Sequence, residues 1–156
     1  NKTAKSVLVT GGAGYIGAHA CKALAEAGYT PVTYDNFVYG HRTAVRWGPL
    51  ERGDIGDRDQ LEMVMKKYNP GAVMHFAAYA YVGESVTKPA KYYRNNVAGT
   101  LSLLESMNSC GIDSFSTTKS TIAMIAEAMA TWSDSPGMPS RNERSIFSFL
   151  SGNRRR

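Results

Sequence analysis

Ser6-Val-Leu-Val-Thr10 is apolar at consecutive positions and closes on a glycine cluster, a pattern that predicts a strand covered on both faces of a parallel sheet. From Tyr15 to Ala27 the spacing changes. Ile16, Ala20, Leu24 and Ala27 recur at helical intervals, and Gly28 supplies a stop. Pro31-Val-Thr-Tyr34 predicts a second strand that ends at Asp35. Strand, glycine loop, helix, strand and acid together make one βαβ unit of about 30 residues.

The alternation continues. A loop rich in aromatic and basic residues (Phe37 to Trp47) leads to a short strand at Leu50 to Arg52, a helix over Arg58 to Tyr68, and a buried strand in Gly71-Ala-Val-Met-His-Phe76. Lys88 to Ser109 reads as mainly helical, with Val97, Leu101 and Leu104 on one face and Gly111 as terminator. A strand is expected around Ile112 to Ser116. Lys119 to Trp132 predicts a further helix whose stripe of Ile122, Ile125, Met129 and Trp132 suits the core or a subunit contact. From Ser133 the chain turns polar and rich in turn residues, and 133–156 are expected to form a poorly ordered tail. The fold class implied is α/β, a doubly wound parallel sheet of Rossmann type occupying residues 1–132.

Composition narrows the function classes. With 156 residues, 43% of them hydrophobic, the chain suits one compact domain. No run approaches the roughly 18 apolar residues of a membrane span, and Asn1-Lys-Thr-Ala-Lys5 lacks the apolar core of a signal peptide, so a soluble, cytoplasmic protein without a membrane partner is expected. Cys21 and Cys110 have no metal-like spacing, and reduced, partly buried thiols with no metal site are expected. The net charge of +5 owes three charges to Arg154, Arg155 and Arg156. That triplet is shorter than the roughly 5–8-residue basic runs of nucleic-acid patches, so no nucleic-acid partner is expected.

The candidate chemistry begins at the glycines. Gly12, Gly14 and Gly17 satisfy G-x-G-x-x-G, while Gly11, Gly14 and Gly17 satisfy a second spacing, G-x-x-G-x-x-G. Without Cβ atoms the chain can turn tightly from strand to helix and bring its N–H groups against a pyrophosphate, whose charge a helix N-terminus favours. A simple tight turn is the alternative. The flanking strand and helix, and Asp35 about 20 residues on, favour a dinucleotide. Asp35 would accept hydrogen bonds from ribose hydroxyls and repel a 2′-phosphate, which selects NAD over NADP; otherwise it is a solvated acid at a strand end. In Gly53-Asp-Ile55, Asp54 could meet an adenine edge or cap a turn. His75 reads as a packed strand residue.

"VLVTGGAGYIGAHACKALAEAGYTPVTYDNFVYG", "ERGDI" and "VMHFAAYAYVGESVTKPAKYYRNNVAGTLSLLESM" together resemble the UDP-glucose 4-epimerases (UDP-galactose 4-epimerases) of the extended short-chain dehydrogenase/reductase family, over about Ser6 to Asp113. The resemblance implies an NAD that is not released between turnovers and a UDP-sugar substrate. By matching motif positions it implies cofactor contacts at Gly11, Gly14, Tyr15, Ile16 and Gly17, at Asp35 and Asn36 by the ribose, and at Asp54 and Ile55 by the adenine. Phe76, Ala77 and Ala80 would line the nicotinamide side, with Asn95 nearby. Some family members carry lysine at the position of Ala80. Pairing through a helix in the place of Lys119 to Trp132 implies a homodimer.

In that family a tyrosine removes the proton of the sugar 4-hydroxyl while hydride passes to NAD, and a lysine four residues on favours the phenolate. No Tyr-x-x-x-Lys occurs in the sequence. Its nearest counterpart is Phe115-Ser-Thr-Thr-Lys119, with Lys119 as the candidate lysine and Phe115, which has no hydroxyl, in the tyrosine's place. The C-terminal region that would grip UDP has no counterpart either. The chain is therefore expected to be part of an epimerase or one from which pieces are absent. The alternatives are a non-catalytic nucleotide-binding module and a related sugar-nucleotide dehydratase.

Overall fold

The computed structural model describes residues 5–118. Its strands are β1 (Ser6–Thr10), β2 (Thr30–Asp35), β3 (Leu50–Arg52), β4 (Ala72–His75) and β5 (Phe115–Thr117). They form one parallel sheet in the order β3-β2-β1-β4-β5, with Leu8 of central β1 beside Val32 on one side and Val73 on the other. The consecutive apolar residues of β1 serve both faces. Val7 and Val9 pack with Cys21 and Leu24 of α1 (Tyr15–Glu26). Leu8, Val32, Tyr34 and Val73 turn the other way, onto Leu61, Val64 and Met65 of α2 (Arg58–Tyr68) and Leu103 and Met107 of α5 (Thr100–Ser109). This is the doubly wound architecture expected. Strand order reverses between β1 and β4, which opens a crevice at the strands' C-terminal ends.

Local chemistry sets the element ends. α1 and α5 each stop at a left-handed glycine, Gly28 (φ 83) and Gly111 (φ 68). In each case two backbone N–H groups fold back onto the last turn: Gly28 to Ala25 and Tyr29 to Leu24, Gly111 to Asn108 and Ile112 to Met107. α2 begins where the Asp57 carboxylate accepts the Gln60 N–H at 3.0 Å.

The helically spaced run from Tyr15 to Ala27 forms α1, whose buried residues are Gly17 and Cys21 and whose Ile16 is 57% exposed. Two sequence expectations shift. The strand expected at Ile112 to Ser116 starts three residues later, since Ile112 is spent on the α5 terminator and is buried in the core. The stretch after β4 divides into α3 (Val82–Thr87), α4 (Pro89–Tyr93), a π turn over Arg94–Gly99 and α5. α5 buries Thr100, Leu103, Ser106 and Met107, whereas Leu101 and Leu104 are only half-buried. The two hydroxyls can occupy core positions because Thr100 donates to the Asn96 carbonyl (2.7 Å) and Ser106 to that of Ser102 (2.8 Å). The helix expected over Lys119 to Trp132 and the tail 133–156 lie outside the described residues.

Candidate functional site

A cleft of about 230 Å³ lies over the C-terminal ends of β1, β2 and β4. Its floor is the turn from β1 into α1. A side chain at Gly11 (φ 72) would meet the Phe76 carbonyl carbon at 2.5 Å, and one at Gly17 would meet the Gly11 carbonyl oxygen at 2.1 Å. These two glycines let β4 and the helix close onto the turn. Gly14 differs. A Cβ there would, among the described residues, touch only the Gly11 oxygen, at 3.3 Å. α1 is capped by Gly14 with no side-chain cap and no acid in its first turn, so among the described residues no side chain answers its leading N–H groups and partial positive charge at the cleft. The residues therefore suit an anionic group lying against bare backbone. Tyr15 (82% exposed) and Ile16 also line the cleft.

At the end of β2, Asp35 is 7% exposed and its two oxygens are both engaged. One accepts the Ala13 N–H (3.0 Å) and the other the Phe37 N–H (2.8 Å), holding Phe37 in a left-handed conformation (φ 60). The carboxylate thus ties the glycine turn to the loop beyond β2, and the alternative of a solvated acid is excluded. Asn36 donates to the Asp54 carboxylate at 2.8 Å, and Asp54 also accepts the Gly56 N–H at 2.8 Å, so Asp54 does cap a turn. Asp54 borders the cleft through Asn36 rather than lining it; Gly53 and Ile55 beside it do line it. Beneath them Tyr34 donates to the Asp54 carbonyl at 2.9 Å, and burial raises its phenol pKa, reinforced by Asp57 and Asp54.

The β4 side is built on small residues and two asparagines. Phe76, Ala77 and Asn95 line the cleft, while Ala80 is exposed and stands outside it. Asn95 donates to the Ala77 carbonyl at 2.7 Å. Asn96 holds Tyr79 from both sides, accepting its N–H (2.8 Å) and donating to its carbonyl (2.9 Å). Both asparagines sit in the π turn, an irregularity common where helices serve a site. Below, His75 is a packed strand residue, as expected. Thr100 commits its hydroxyl proton to Asn96, so it accepts from Nε2 of His75 (3.1 Å), and Nδ1 accepts from Thr10 (2.8 Å). Burial pushes the ring's pKa down to about 4.

Phe115 lies in β5, within the strand expected around Ile112 to Ser116, opposite Val73 and packed against the core near the His75 ring. Lys119 lies outside the described residues. Ala78, in the run of small residues that ends β4, lines the cleft too, and sequence reasoning missed Tyr39, Gly40 and Tyr79. The aromatic loop after β2 was the only signal for Tyr39 and Gly40.

A family model described as the NAD dependent epimerase/dehydratase family matches residues 7–137. The UDP-glucose 4-epimerase of Rhizobium leguminosarum bv. trifolii is 56% identical over 111 residues, 71% of this chain and 34% of that protein. The human UDP-glucose 4-epimerase is 46% identical over 123 residues, 70% of this chain and 35% of its own length. Among solved structures, the UDP-glucose 4-epimerase from Brucella ovis in complex with NAD matches with a TM-score of 0.71 at 56% identity, over 73% of this chain and 35% of that one. The chain spans about a third of the length of the curated relatives it matches.

Proposed function

This chain belongs to the NAD dependent epimerase/dehydratase family, and we propose that it is the NAD-holding part of a UDP-glucose 4-epimerase. The observation that carries the reading is Gly14, bare backbone at a helix N-terminus without a side-chain cap, where a Cβ would touch, among the described residues, only the Gly11 oxygen. In this reading the first-turn N–H groups of α1, at Tyr15 and Ile16, receive the pyrophosphate. Asp35 and Asn36 face the adenosine ribose and Ile55 the adenine, with Asp54 holding Asn36 from behind. Phe76, Ala77 and Asn95 flank the nicotinamide, with Ala80 outside the cleft. NAD, when bound, takes up and returns the hydride of the sugar's C4.

The chain's own residues hold and orient the dinucleotide. No tyrosine in the sequence precedes a lysine by four residues, so the 156 residues bind NAD without supplying the family's base. With this reading go a UDP-sugar substrate for the whole enzyme, a homodimer, and a place in cytoplasmic galactose metabolism. The test is to denature the purified chain and identify the released nucleotide by mass. NAD near one per chain is expected from the wild type and none from Gly14→Val, whose extended backbone (φ −80, ψ 173) admits valine with the circular dichroism spectrum unchanged. A wild-type chain that neither carries nor takes up NAD, or a Gly14→Val chain that retains it, overturns the reading.

A further inference from the structure

A second cluster of charged and phenolic groups spans the cleft without belonging to its floor. Glu84 of α3 gathers several donors on one carboxylate. Lys91 of α4 reaches one oxygen at 2.8 Å, Tyr92 the other at 3.0 Å, and the Tyr39 hydroxyl donates to that same second oxygen. Lys88 stands at 3.7 Å. Lys91 also donates to the Tyr39 oxygen at 2.9 Å and lies over the rings of Tyr39 (5.0 Å) and Tyr79 (5.2 Å). The Tyr39 ring meets that of Tyr79 edge-on at 4.9 Å. Lys91 and the Tyr39 hydroxyl hold the Glu84 carboxyl well below its usual range, at about 2.

The geography gives the cluster its meaning. Tyr39 belongs to the loop that leaves β2 just after Asp35, whose next residues press on the glycine turn through the His41 N–H to Ala13 carbonyl bond (3.0 Å). Tyr79 belongs to the loop that leaves β4. Both line the cleft, one from each half. A ligand reaching from the end of β2 to the end of β4 therefore passes the Tyr39–Tyr79 pair, and the pair is clamped from behind by Glu84 and Lys91. The clamp is electrostatic and partly solvated, with Glu84 and Lys91 side chains 26% and 35% exposed, so it can open without unfolding the core.

We propose that Glu84 and Lys91 are positioning residues that act through Tyr39 to pin the β2 loop across the cleft, and that this tie sets how long the dinucleotide stays bound. The proposal rests on the NAD reading above but makes a claim that is measurable without the nucleotide. In the ligand-free 156-residue chain, Glu84→Gln and Lys91→Met should each accelerate amide hydrogen exchange at Val38 to His41, while exchange in β1 and β4 stays at the wild-type rate. With NAD, each should raise the dissociation rate by roughly 10- to 100-fold, the loss of one hydrogen bond to a charged group, and leave association nearly unchanged. Tyr39→Phe keeps the ring and should match them. The double variant Glu84→Gln/Tyr39→Phe should be no faster than the faster single, because the groups act as one unit. Unchanged exchange at Val38 to His41 in the ligand-free variants overturns the proposal whether or not NAD binds. So does wild-type NAD dissociation from Glu84→Gln, or full additivity in the double variant. Absence of NAD binding by the wild type sinks the function instead, and the exchange measurement then decides the clamp alone.

Discussion

Asp35→Ala should weaken the protein before any nucleotide is added. The carboxylate is almost wholly buried and accepts two backbone N–H groups, from Ala13 at 3.0 Å and Phe37 at 2.8 Å. A hydrogen bond to a charged group contributes about 1.5–3 kcal/mol. Water entering the vacated space recovers part of two such bonds, which puts the loss at about 3 kcal/mol. At roughly 3–5 °C per kcal/mol for a domain of this size, the ligand-free melting temperature should fall by about 10–15 °C. Asp35→Asn should lose about half as much, because its carbonyl can accept one N–H while its amide faces the other. Thermal melts followed by circular dichroism, without nucleotide, make the measurement. NAD and NADP titrations complete it: NAD affinity should drop because the glycine turn loosens, and discrimination against NADP should narrow because the charge that repels a 2′-phosphate has gone. Ligand-free melts of wild type and Asp35→Ala that agree within about 2 °C would refute the structural role.

Two further outcomes are expected. His75 titrates near 4 when folded against about 6.5 unfolded, so the unfolded chain binds the extra proton first; stability should be whole above pH 6.5 and decline by about 3 kcal/mol as pH falls to 4, a slope that urea titrations of His75→Gln should lack. Purified chain of verified mass, supplied with NAD, should not interconvert UDP-glucose and UDP-galactose at a useful rate, since loss of a positioned base alone commonly costs about 10²–10⁴-fold; clear turnover in a coupled assay would show that another group serves.

What could be read from the sequence was local. β1, the glycine turn, α1 and Asp35 are encoded by neighbours within one βαβ unit, where spacing and glycine chemistry suffice. Leu50–Arg52 and Arg58–Tyr68 were legible for the same reason. What escaped depends on groups far apart in the chain. Tyr39 meets Glu84 across 45 residues and Lys91 across 52, and no periodicity announces such a meeting. Asn96 gives no sign in the sequence that it will bind both backbone groups of Tyr79, seventeen residues earlier. α5 was misphased because Thr100 and Ser106 look polar yet answer their own hydroxyls within the helix. Asp35 was found, but its double commitment to Ala13 and Phe37 was not, because the turn geometry that supplies both donors exists only in the fold.

Three of the four glycines of the turn carry separate obligations, and that separation has an evolutionary edge. Gly11 and Gly17 are held by contacts inside the protein, with the Phe76 backbone and the Gly11 carbonyl, that any side chain would violate. At Gly14 a side chain would meet, among the described residues, a single close contact, the Gly11 oxygen at 3.3 Å, which would have to yield by a few tenths of an ångström. A lineage that gave up the nucleotide would be free to change Gly14 and still be obliged to keep the other two, so that the fingerprint would decay from its middle while its ends went on reporting a fold.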